Sequence, residues 1–407
     1  MASGRVLLEL LVSLAAALVV CLQQCSGVPV DPRQQVVQLL EKGNHEDLAK
    51  YDLCLVCEGV VEVVKLYLER NASVDEVIPV VEPLCLVYMN KTNGYNGTFM
   101  CPGILKSYLP IVLYVVAEGA LDPADVCYII HLCNSSSHAQ SSSPLLSLLE
   151  TSWHKRQWTP THSLPGALEG NSLREEPAVR GAGKRGGRLE KKGGDPIVFL
   201  QLSDIHLDQL FAEGSPSICN LYLCCRTWYS GTGPAGHYGD FNCDLPLATL
   251  EVVVEAIAQL DPQPDFIIYT GDNSPHDVWN ETWTGEYQAT EFLISYLAEK
   301  LPQRHIYPAL GNHETFPESE YIGTLPQYQE LTRKMADYWQ KLVPLPQSAL
   351  DTIADGAYYT TLIEDKLRVL SFNSDYGYTI NFYTHLNGRN AYFTRQQEWI
   401  VGHTSKG

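Results

Sequence analysis

The chain has 407 residues, enough for two domains with hydrophobic cores of their own and a linker between them. Its formal net charge of -19 argues against nucleic acid as a partner, because nucleic-acid binding needs a basic surface. Beyond solubility the charge indicates little, and we hypothesise that it suits an acidic compartment, where partial protonation relieves self-repulsion.

Residues 1–27 have the pattern of a secretory signal peptide. Arg5 precedes an apolar segment, 6–20, that only Glu9 interrupts, and small residues follow near Ser26. A membrane anchor is the alternative, but the run is short for spanning a bilayer and no later apolar run reaches spanning length. We therefore expect entry into the secretory pathway, a lysosomal or secreted protein and no transmembrane anchor.

The cysteines and the glycosylation sequons agree with that route. Removing Cys21 and Cys25 with the signal peptide leaves ten cysteines, an even number that predicts disulfide bonds in an oxidising compartment. Asn-x-Ser/Thr sequons, which also arise by chance, occur at Asn71, Asn90, Asn96, Asn134 and Asn280. The sequence therefore predicts a disulfide-bonded glycoprotein.

Residues 47–135 are predicted to form a small all-α domain. Cys54 and Cys57 form a C-x-x-C pair in an apolar segment, 51–70, whose length and periodicity favour a helix. A redox motif and a zinc knuckle are rejected, because no thioredoxin-like pattern surrounds the pair and no second C-x-x-C follows at knuckle spacing. Further helices are predicted after Ser73, as an N-cap, and from Pro123.

The order and spacing of the six cysteines in this region resemble the saposin family. The resemblance implies pairing of the first two with the last two and of the middle two with each other, whereas the count alone permits fifteen pairings. The implied pairs are Cys54 with Cys133, Cys57 with Cys127 and Cys85 with Cys101.

The apolar segment 104–117, with Pro110 as a predicted kink, leaves two interpretations open. Its apolar residues either form the core of a helical bundle or open to contact lipid, as saposins do. The second interpretation predicts that vesicle binding falls when Leu113 and Val116 become polar.

Residues 136–195 are predicted to be a flexible linker. The stretch 136–143 is rich in serine, and 180–194 is rich in Gly, Lys and Arg without an apolar period. Its basic cluster could touch anionic lipid, but we favour a solvated spacer, since salt would screen that attraction.

From residue 196, three apolar runs end in polar turns. The runs 197–202, 265–269 and 305–310 have the character of buried strands. They lead into Ser203-Asp204-Ile205-His206, Thr270-Gly271-Asp272-Asn273 and Gly311-Asn312-His313-Glu314. In an open α/β sheet, ligands bind beyond the carboxyl ends of the strands. These oxygen and nitrogen donors, without thiolate, suit zinc, manganese or iron.

Together the three turns resemble those of the calcineurin-like metallophosphoesterases, and the surrounding residues 271–279 and 307–314 resemble the acid sphingomyelinase family. The resemblance implies an α/β fold over 196–407, a mixed β-sheet sandwich flanked by helices, preceded by the saposin-like domain. It also implies two zinc ions in a complete site. Asp204 and His206 would hold one ion, Asp272 would bridge, and Asn312 would hold the other through its amide oxygen.

Two histidines match catalytic positions of that family. His313 follows a metal ligand, and the resemblance implies that it stabilises the reacting phosphorus group and protonates the leaving oxygen. His276 matches a second such histidine, although a surface turn after Pro275 is the alternative. His237 and His305 match no motif and are predicted to be structural or surface residues.

The remaining predictions concern the frame of this domain. The resemblance implies disulfides Cys219–Cys224 and Cys225–Cys243 in an insertion after the first strand. The pattern predicts helices over 249–260, 291–300, 328–343 and 395–400, and a pair of strands, 358–363 and 367–372, that continues the sheet.

The function that the resemblance implies is zinc-dependent hydrolysis of sphingomyelin to ceramide and phosphocholine, with the saposin-like domain contacting sphingomyelin membranes or vesicles. The family has three further histidine ligands that this sequence does not match, and His403 is a superficial candidate only. We therefore expect one zinc ion or none, and reduced or no activity, in this 407-residue chain. The alternatives are a phosphodiesterase of nucleotides or other esters and a non-catalytic lipid-binding glycoprotein.

Overall fold

The computed structural model describes residues 31–41, 46–90, 94–119, 123–130, 132–133, 196–364, 367–378, 380–386 and 391–404. The predicted signal peptide, the whole predicted linker 136–195 and Asn134 lie outside these residues. The chain divides into two compact units, Met1–Thr92 with Leu121–Gln140 and Asn93–Ala120 with Ser141–Gly407. This division differs from the predicted boundaries, because it assigns the middle of the 47–135 region to the second unit.

Ten α-helices and seven strands are formed by the described residues. The helices are α1 Pro32–Glu41, α2 Leu53–Glu69, α3 Val74–Tyr88, α4 Gly97–Gly119, α5 Pro123–Ile129, α6 Leu247–Gln259, α7 Trp283–Lys300, α8 Pro326–Trp339, α9 Gln347–Gly356 and α10 Ala391–Thr404. The strands are β1 Phe199–Leu202, β2 Pro216–Ile218, β3 Thr232–Pro234, β4 Phe266–Tyr269, β5 Ile306–Pro308, β6 Tyr359–Glu364 and β7 Leu367–Ser371. The α/β class is confirmed, with a disulfide-bonded helical region before it.

The first unit is held by helix caps and disulfides. Asp52 accepts a hydrogen bond from the backbone of Cys54 at 2.9 Å, and Ser73 and Glu76 form a capping box at the start of α3. Such caps satisfy N–H groups that the first helical turn leaves without partners. Disulfides join Cys54 to Cys133 and Cys57 to Cys127, the pairs that the saposin resemblance implies. Cys85 and Cys101 are also disulfide-bonded, and their mutual pairing stays a prediction.

Helix α1 was not included in the predicted domain, yet it packs closely on α2. A Cβ added to Gly59 of α2 would lie 2.7 Å from the side chain of Val36, so only glycine permits this approach. Arg33 forms an ion pair at 2.7 Å with Glu58, whose side chain is fully buried. A buried carboxylate needs such a partner, which explains why the helix before residue 47 belongs to this unit.

Helix α4 is the long apolar segment of the second unit. By length and composition alone, Gly97–Glu118 could cross a membrane, so the statement that no later run reaches spanning length was wrong. It was based on uninterrupted apolar runs, whereas polar residues are spread along this helix. About 44% of the window is buried within the protein. Leu113 and Val116 are buried as well, which makes them core residues in this structure.

Strands β1, β4 and β5 form a parallel sheet in the order β1-β4-β5, which is the arrangement that the three apolar runs predict. Strand β4 lies in the centre and is mostly buried, but Phe199 of the edge strand β1 is 52% exposed. The expectation of three buried strands was therefore wrong for β1, whereas the other edge strand, β5, is buried. Helix α6 provides the crossover from β1 to β4.

Strands β6 and β7 pair with each other as predicted, but in a separate two-stranded antiparallel sheet. The prediction that they continue the first sheet was wrong. They pack against it instead: Tyr359 and Ser371 donate side-chain hydrogen bonds to the carbonyl of Pro308 at 2.9 and 3.1 Å. Residues of both sheets share a core around Phe266, against which Ile363 and Val369 pack. The two sheets therefore face each other across apolar side chains, as in a sandwich.

The insertion after β1 is fixed by covalent bonds and by a buried ion network. Disulfides join Cys219 to Cys224 and Cys225 to Cys243. Next to Cys225, the guanidinium of Arg226 is 1% exposed and lies 3.1 Å from Asp208 and 2.7 Å from Asp277. Because Asp208 follows β1 and Asp277 follows β4, this network ties the insertion to two of the turns that carry the site.

Candidate metal centre

The first two polar turns place their ligands through unusual backbone conformations. Asp204, His206 and Asp272 all have positive φ angles, of 54, 41 and 63 degrees. Non-glycine residues adopt such angles at a cost in energy, and they concentrate at functional sites. The two turns are also joined directly, since the backbone N–H of His206 donates to the carbonyl of Asp272 at 3.0 Å.

The side chains of these three residues converge. Ligand atoms of Asp204, His206 and Asp272 all lie within 4.8 Å of one another. The Nδ1 atom of His206 lies 2.9 Å from the carbonyl of Ser274, which can only accept a hydrogen bond. Nδ1 must therefore carry the proton, which leaves Nε2 free to bind a cation.

Electrostatics favour a neutral His206. Burial and the charges of His313 and His276 lower the pKa of His206, so its imidazole stays unprotonated and able to ligate. Burial raises the pKa of Asp272, against the opposing hydrogen bond from the backbone of His313. A buried carboxyl with a raised pKa is stabilised as an anion when a cation binds beside it.

The third turn closes on Asp272. The backbone N–H of His313 donates to Oδ1 of Asp272 at 3.1 Å, and a Cβ added to Gly311 would lie 2.2 Å from the same atom. Glu314, which is buried, accepts backbone N–H groups from Gly311 at 2.6 Å and from Asn273 at 2.7 Å. Burial raises the pKa of Glu314 to about 8. This carboxyl joins the second and third turns.

Three histidines cluster beside these ligands. The ring centroid of His206 lies 4.1 Å from that of His276 and 4.4 Å from that of His313, and the last two rings are 4.6 Å apart. Asp244 accepts the backbone N–H of His276 at 2.7 Å and lies 2.8 Å from its Nδ1. Burial lowers the pKa of His276, but the hydrogen bond and charge of Asp244 outweigh it, so the net shift is upward.

Glu318 lies against the third turn. Its Oε1 atom is 3.2 Å from Nε2 of His313 and accepts a hydrogen bond from the amide nitrogen of Asn312 at 3.1 Å. Burial raises the pKa of Glu318, but the hydrogen bond and charge of His313 outweigh it and the pKa is lowered overall. Among the residues that the structure describes, the buried Nδ1 atom of His313 has no hydrogen-bond partner.

These residues fit a divalent transition metal. A neutral imidazole nitrogen and two carboxylates form one three-donor position. Asn312, in the turn after β5, has an amide oxygen, a donor type that such ions also accept. The orphaned Nδ1 atom of His313 and the free Nε2 atom of His206 are the features of a site prepared for ligands.

All six predicted metal and catalytic residues therefore lie at one rim of the sheet. The other histidines have other surroundings. His237 is exposed and lies 2.9 Å from Glu213, and Nδ1 of His403 lies 2.8 Å from the backbone carbonyl of Trp399 within α10. His305 is the residue directly before β5.

Three acidic residues of the site were not predicted. Glu314 belongs to the third turn itself, and its position next to His313 was a signal that could have been used. Asp244 lies on the insertion, and Glu318 follows the turn in an irregular segment. Neither matches a motif: Asp244 contacts His276 from 32 positions away, and Glu318 contacts Asn312 and His313 from within the same irregular stretch.

A calcineurin-like phosphoesterase family model matches residues 197–403. The chain is 32% identical over 355 residues to sphingomyelin phosphodiesterase A of Dictyostelium discoideum, which covers 86% of this chain and 56% of that protein. It is also 32% identical over 214 residues to human sphingomyelin phosphodiesterase, covering 50% of this chain and 33% of that protein.

A third similarity is to acid sphingomyelinase-like phosphodiesterase 3b of Mus musculus, 30% identical over 189 residues, 45% of this chain and 39% of that protein. The chain thus spans between a third and about three fifths of the length of these relatives. The matched residues of the family model include every ligand and histidine described above.

Proposed function

Because this chain belongs to the calcineurin-like phosphoesterase family, we propose that it is a zinc-dependent phosphodiesterase that hydrolyses sphingomyelin to ceramide and phosphocholine. The observation that carries the proposal is the convergence of Asp204, His206 and Asp272 beside His276 and His313. The names of the similar proteins favour sphingomyelin over other phosphodiesters.

Bound zinc would supply a Lewis acid for the phosphoryl oxygens and would lower the pKa of water to give a hydroxide nucleophile at mild pH. Asp204, His206 and Asp272 would hold one ion, and Asp272 with Asn312 the other. Three donors hold zinc with an open position, whereas two rarely suffice. We propose that the position with three donors binds zinc more tightly than the position that Asp272 and Asn312 would serve.

His276 and His313 have different roles, at the leaving oxygen and at the phosphoryl group. Hydrolysis forms a bond from the water oxygen to phosphorus and breaks the bond from phosphorus to the ceramide oxygen, which must gain a proton. His276 is suited to donate it, because Asp244 holds its Nδ1–H and favours the protonated ring, leaving Nε2–H for the ceramide oxygen. When the ring of His313 is protonated, with Nε2–H on Glu318, its Nδ1–H can donate a hydrogen bond to the crowded phosphoryl group.

We propose further that the chain passes through the secretory pathway to the lysosome or to secretion. The disulfides of both units support this, since they persist in oxidising compartments. The sequon residues Asn71, Asn90 and Asn280 are exposed, as glycosylation requires. Expression in cultured animal cells tests this proposal. Glycosidase treatment should lower the apparent molecular mass of the secreted or lysosomal protein, and a cytosolic, unglycosylated chain would contradict the proposal.

The first unit is proposed to contact sphingomyelin membranes, as a saposin-like domain would. The disulfide-bonded helices and the exposed Tyr128 support this assignment. The measurement is co-flotation with sphingomyelin vesicles. Loss of flotation after Tyr128→Ser would support contact through this face, and flotation that is equal for both chains would contradict it.

Zinc content and turnover, measured together on the purified chain, test the enzymatic proposal. We expect bound zinc, hydrolysis of sphingomyelin vesicles that zinc stimulates, and slower hydrolysis of bis(p-nitrophenyl) phosphate. His237→Gln, which changes a histidine paired with Glu213 away from the described ligands, is the matched control for His276→Gln.

The outcomes separate the alternatives. Hydrolysis of a nucleotide ester but not of sphingomyelin would support a phosphodiesterase of other substrates. Vesicle binding without any turnover, at saturating zinc, would support a non-catalytic lipid-binding glycoprotein.

A further inference from the structure

Glu318 lies between two residues of the site without being a predicted ligand. Its side chain is 18% exposed, and one oxygen, Oε1, receives the Nδ2 atom of Asn312 at 3.1 Å and faces Nε2 of His313 at 3.2 Å. The hydroxyl of Ser319 lies 3.2 Å from the same Nδ2 atom. The amide nitrogen of Asn312 therefore has two partners.

The orientation of the Asn312 side chain follows from this contact. An asparagine amide offers one oxygen and one nitrogen, and only the oxygen can bind a cation. A carboxylate accepts hydrogen bonds and cannot donate them, so Glu318 is compatible with one of the two amide orientations. Within the part of the chain that the structure describes, the amide oxygen of Asn312 has no hydrogen-bond partner and stays free for a metal ion.

Glu318 is itself held from two directions. The hydroxyl of Tyr108, on α4, donates to the backbone carbonyl of Glu318 at 3.1 Å, and the backbone N–H of Glu318 donates to Glu281 at 3.3 Å. A Cβ added to Gly103, one and a half turns before Tyr108, would lie 1.8 Å from the carbonyl oxygen of Trp279. Helix α4 therefore closely approaches the segment that carries Glu281. The carboxylate is thus fixed by its backbone as well as by its contacts.

We propose that Glu318 is a positioning residue that fixes the amide of Asn312 with its oxygen toward the second metal position. The proposal rests on the proposed two-metal function and extends it to a residue that neither ligates nor touches the substrate. Partners that orient ligands in this way contribute about 10- to 100-fold to metal affinity or activity.

The test separates orientation from simple charge attraction. Glu318→Gln is made alone and in a chain that carries Asn312→Asp, and zinc affinity of the weaker position is measured by titration against a chelator, up to millimolar zinc. A carboxylate at position 312 has two equivalent oxygens and needs no orientation. If Glu318 orients the amide, Glu318→Gln should weaken zinc binding about tenfold with asparagine at 312 and by less than threefold with aspartate there.

Equal losses in the two chains would overturn the proposal, since loss of charge alone weakens zinc binding equally in both. An unchanged zinc affinity in Glu318→Gln would overturn it as well. Glu299→Gln, an exposed carboxylate on α7, is the control, and the melting temperature of each variant shows whether the fold is kept.

The proposed function fails in a different way. It fails if the unmodified chain binds no zinc at its first position or does not hydrolyse sphingomyelin. The positioning role of Glu318 fails if the unmodified chain does both and the two losses are equal.

Discussion

The two sides of the site are built by different means. On the metal side, Asp204, His206 and Asp272 are placed by strand ends, by left-handed backbone angles and by hydrogen bonds between neighbouring turns. On the histidine side, His276 and His313 are held by carboxylates, Asp244 and Glu318, from segments outside the parallel sheet. The metal side therefore depends on the backbone of the sheet turns, and the histidine side on side-chain contacts with carboxylates.

This difference predicts how each side responds to substitution. Ligands on the metal side are held rigidly, so changing one should remove metal without moving its neighbours. Residues on the histidine side orient one another, so a change there should reduce turnover while the ion held by Asp204, His206 and Asp272 stays bound. Substitutions on either side test that contrast.

Asp272→Asn should have the largest effect, because it removes the charge of the carboxylate that both metal positions share. We expect turnover to fall about a thousandfold, the loss of several kcal/mol of transition-state stabilisation that metal ions supply. Zinc content should fall in parallel. Asp351→Asn, an exposed carboxylate of α9, is the control, and zinc retained at the unmodified level would contradict the assignment of Asp272.

Gly311→Ala should come next, because the added Cβ would lie 2.2 Å from Oδ1 of Asp272 and would displace it. Displacing a catalytic group by about 1 Å costs about a hundredfold in rate. The measurement is turnover together with zinc content, and both should fall. The matched control is Gly402→Ala, where no atom lies within 4 Å of the added methyl group. Equal turnover and equal zinc content in the two variants would show that the site does not depend on the close approach of Gly311 to Asp272.

Asp244→Asn should reduce turnover about tenfold and leave the first zinc ion bound. Its negative charge raises the pKa of His276, so without that charge the pKa should fall. The alkaline limb of the pH–rate profile should then move to lower pH, because less of the proton donor is charged at any given pH.

The control for Asp244→Asn is Glu213→Gln, the same kind of change at the exposed His237 pair. A zinc content that falls as far as in Asp272→Asn would remove the distinction between the two sides.

The smallest effect on turnover is expected at Glu286, on α7, whose carboxyl contacts the hydroxyl of Ser274. Burial raises the pKa of Glu286 to about 8, whereas an exposed glutamate titrates at about 4.3. Between these values the unfolded chain loses a proton that the folded chain keeps. Stability from this group is therefore complete below about pH 4 and is lost as the pH rises through about 8.

Each pH unit in that window should lower the free energy of unfolding by up to about 1.4 kcal/mol per such group. Burial and the charge of Asp272 raise the pKa of Asp375 to about 8 as well, so the two groups favour an acidic medium together. Denaturant unfolding at pH 5 and pH 7.5 should show a smaller difference in Glu286→Gln than in the unmodified chain. If Glu286→Gln shows as large a difference in unfolding free energy between the two pH values as the unmodified chain, this role of Glu286 is contradicted.

The sequence predicted the metal side because its signals are local. A strand followed by a polar turn places ligands at a sheet edge, and three such turns in order specify where Asp204, His206 and Asp272 meet. The same approach predicted helix caps such as Ser73, which are also local. It failed for β6 and β7, since their pairing with each other is local but their choice of neighbouring sheet is not.

The histidine side was predicted only in part, for a related reason. His276 and His313 were found through family resemblance, whereas Asp244 and Glu318 acquire their roles from contacts with histidines 32 and 5 positions away. The burial of Leu113 and Val116 could not be predicted either, because an apolar helix has the same pattern in a core and on a lipid-facing surface.

The central claim is that the first two turns of the sheet hold a metal ion. Anomalous diffraction at the zinc absorption edge, from crystals of the zinc-loaded chain, tests it most directly. The account predicts a peak about 2.0–2.2 Å from Nε2 of His206 and from carboxylate oxygens of Asp204 and Asp272. A chain that binds zinc only elsewhere, with these three side chains free of metal, would contradict it.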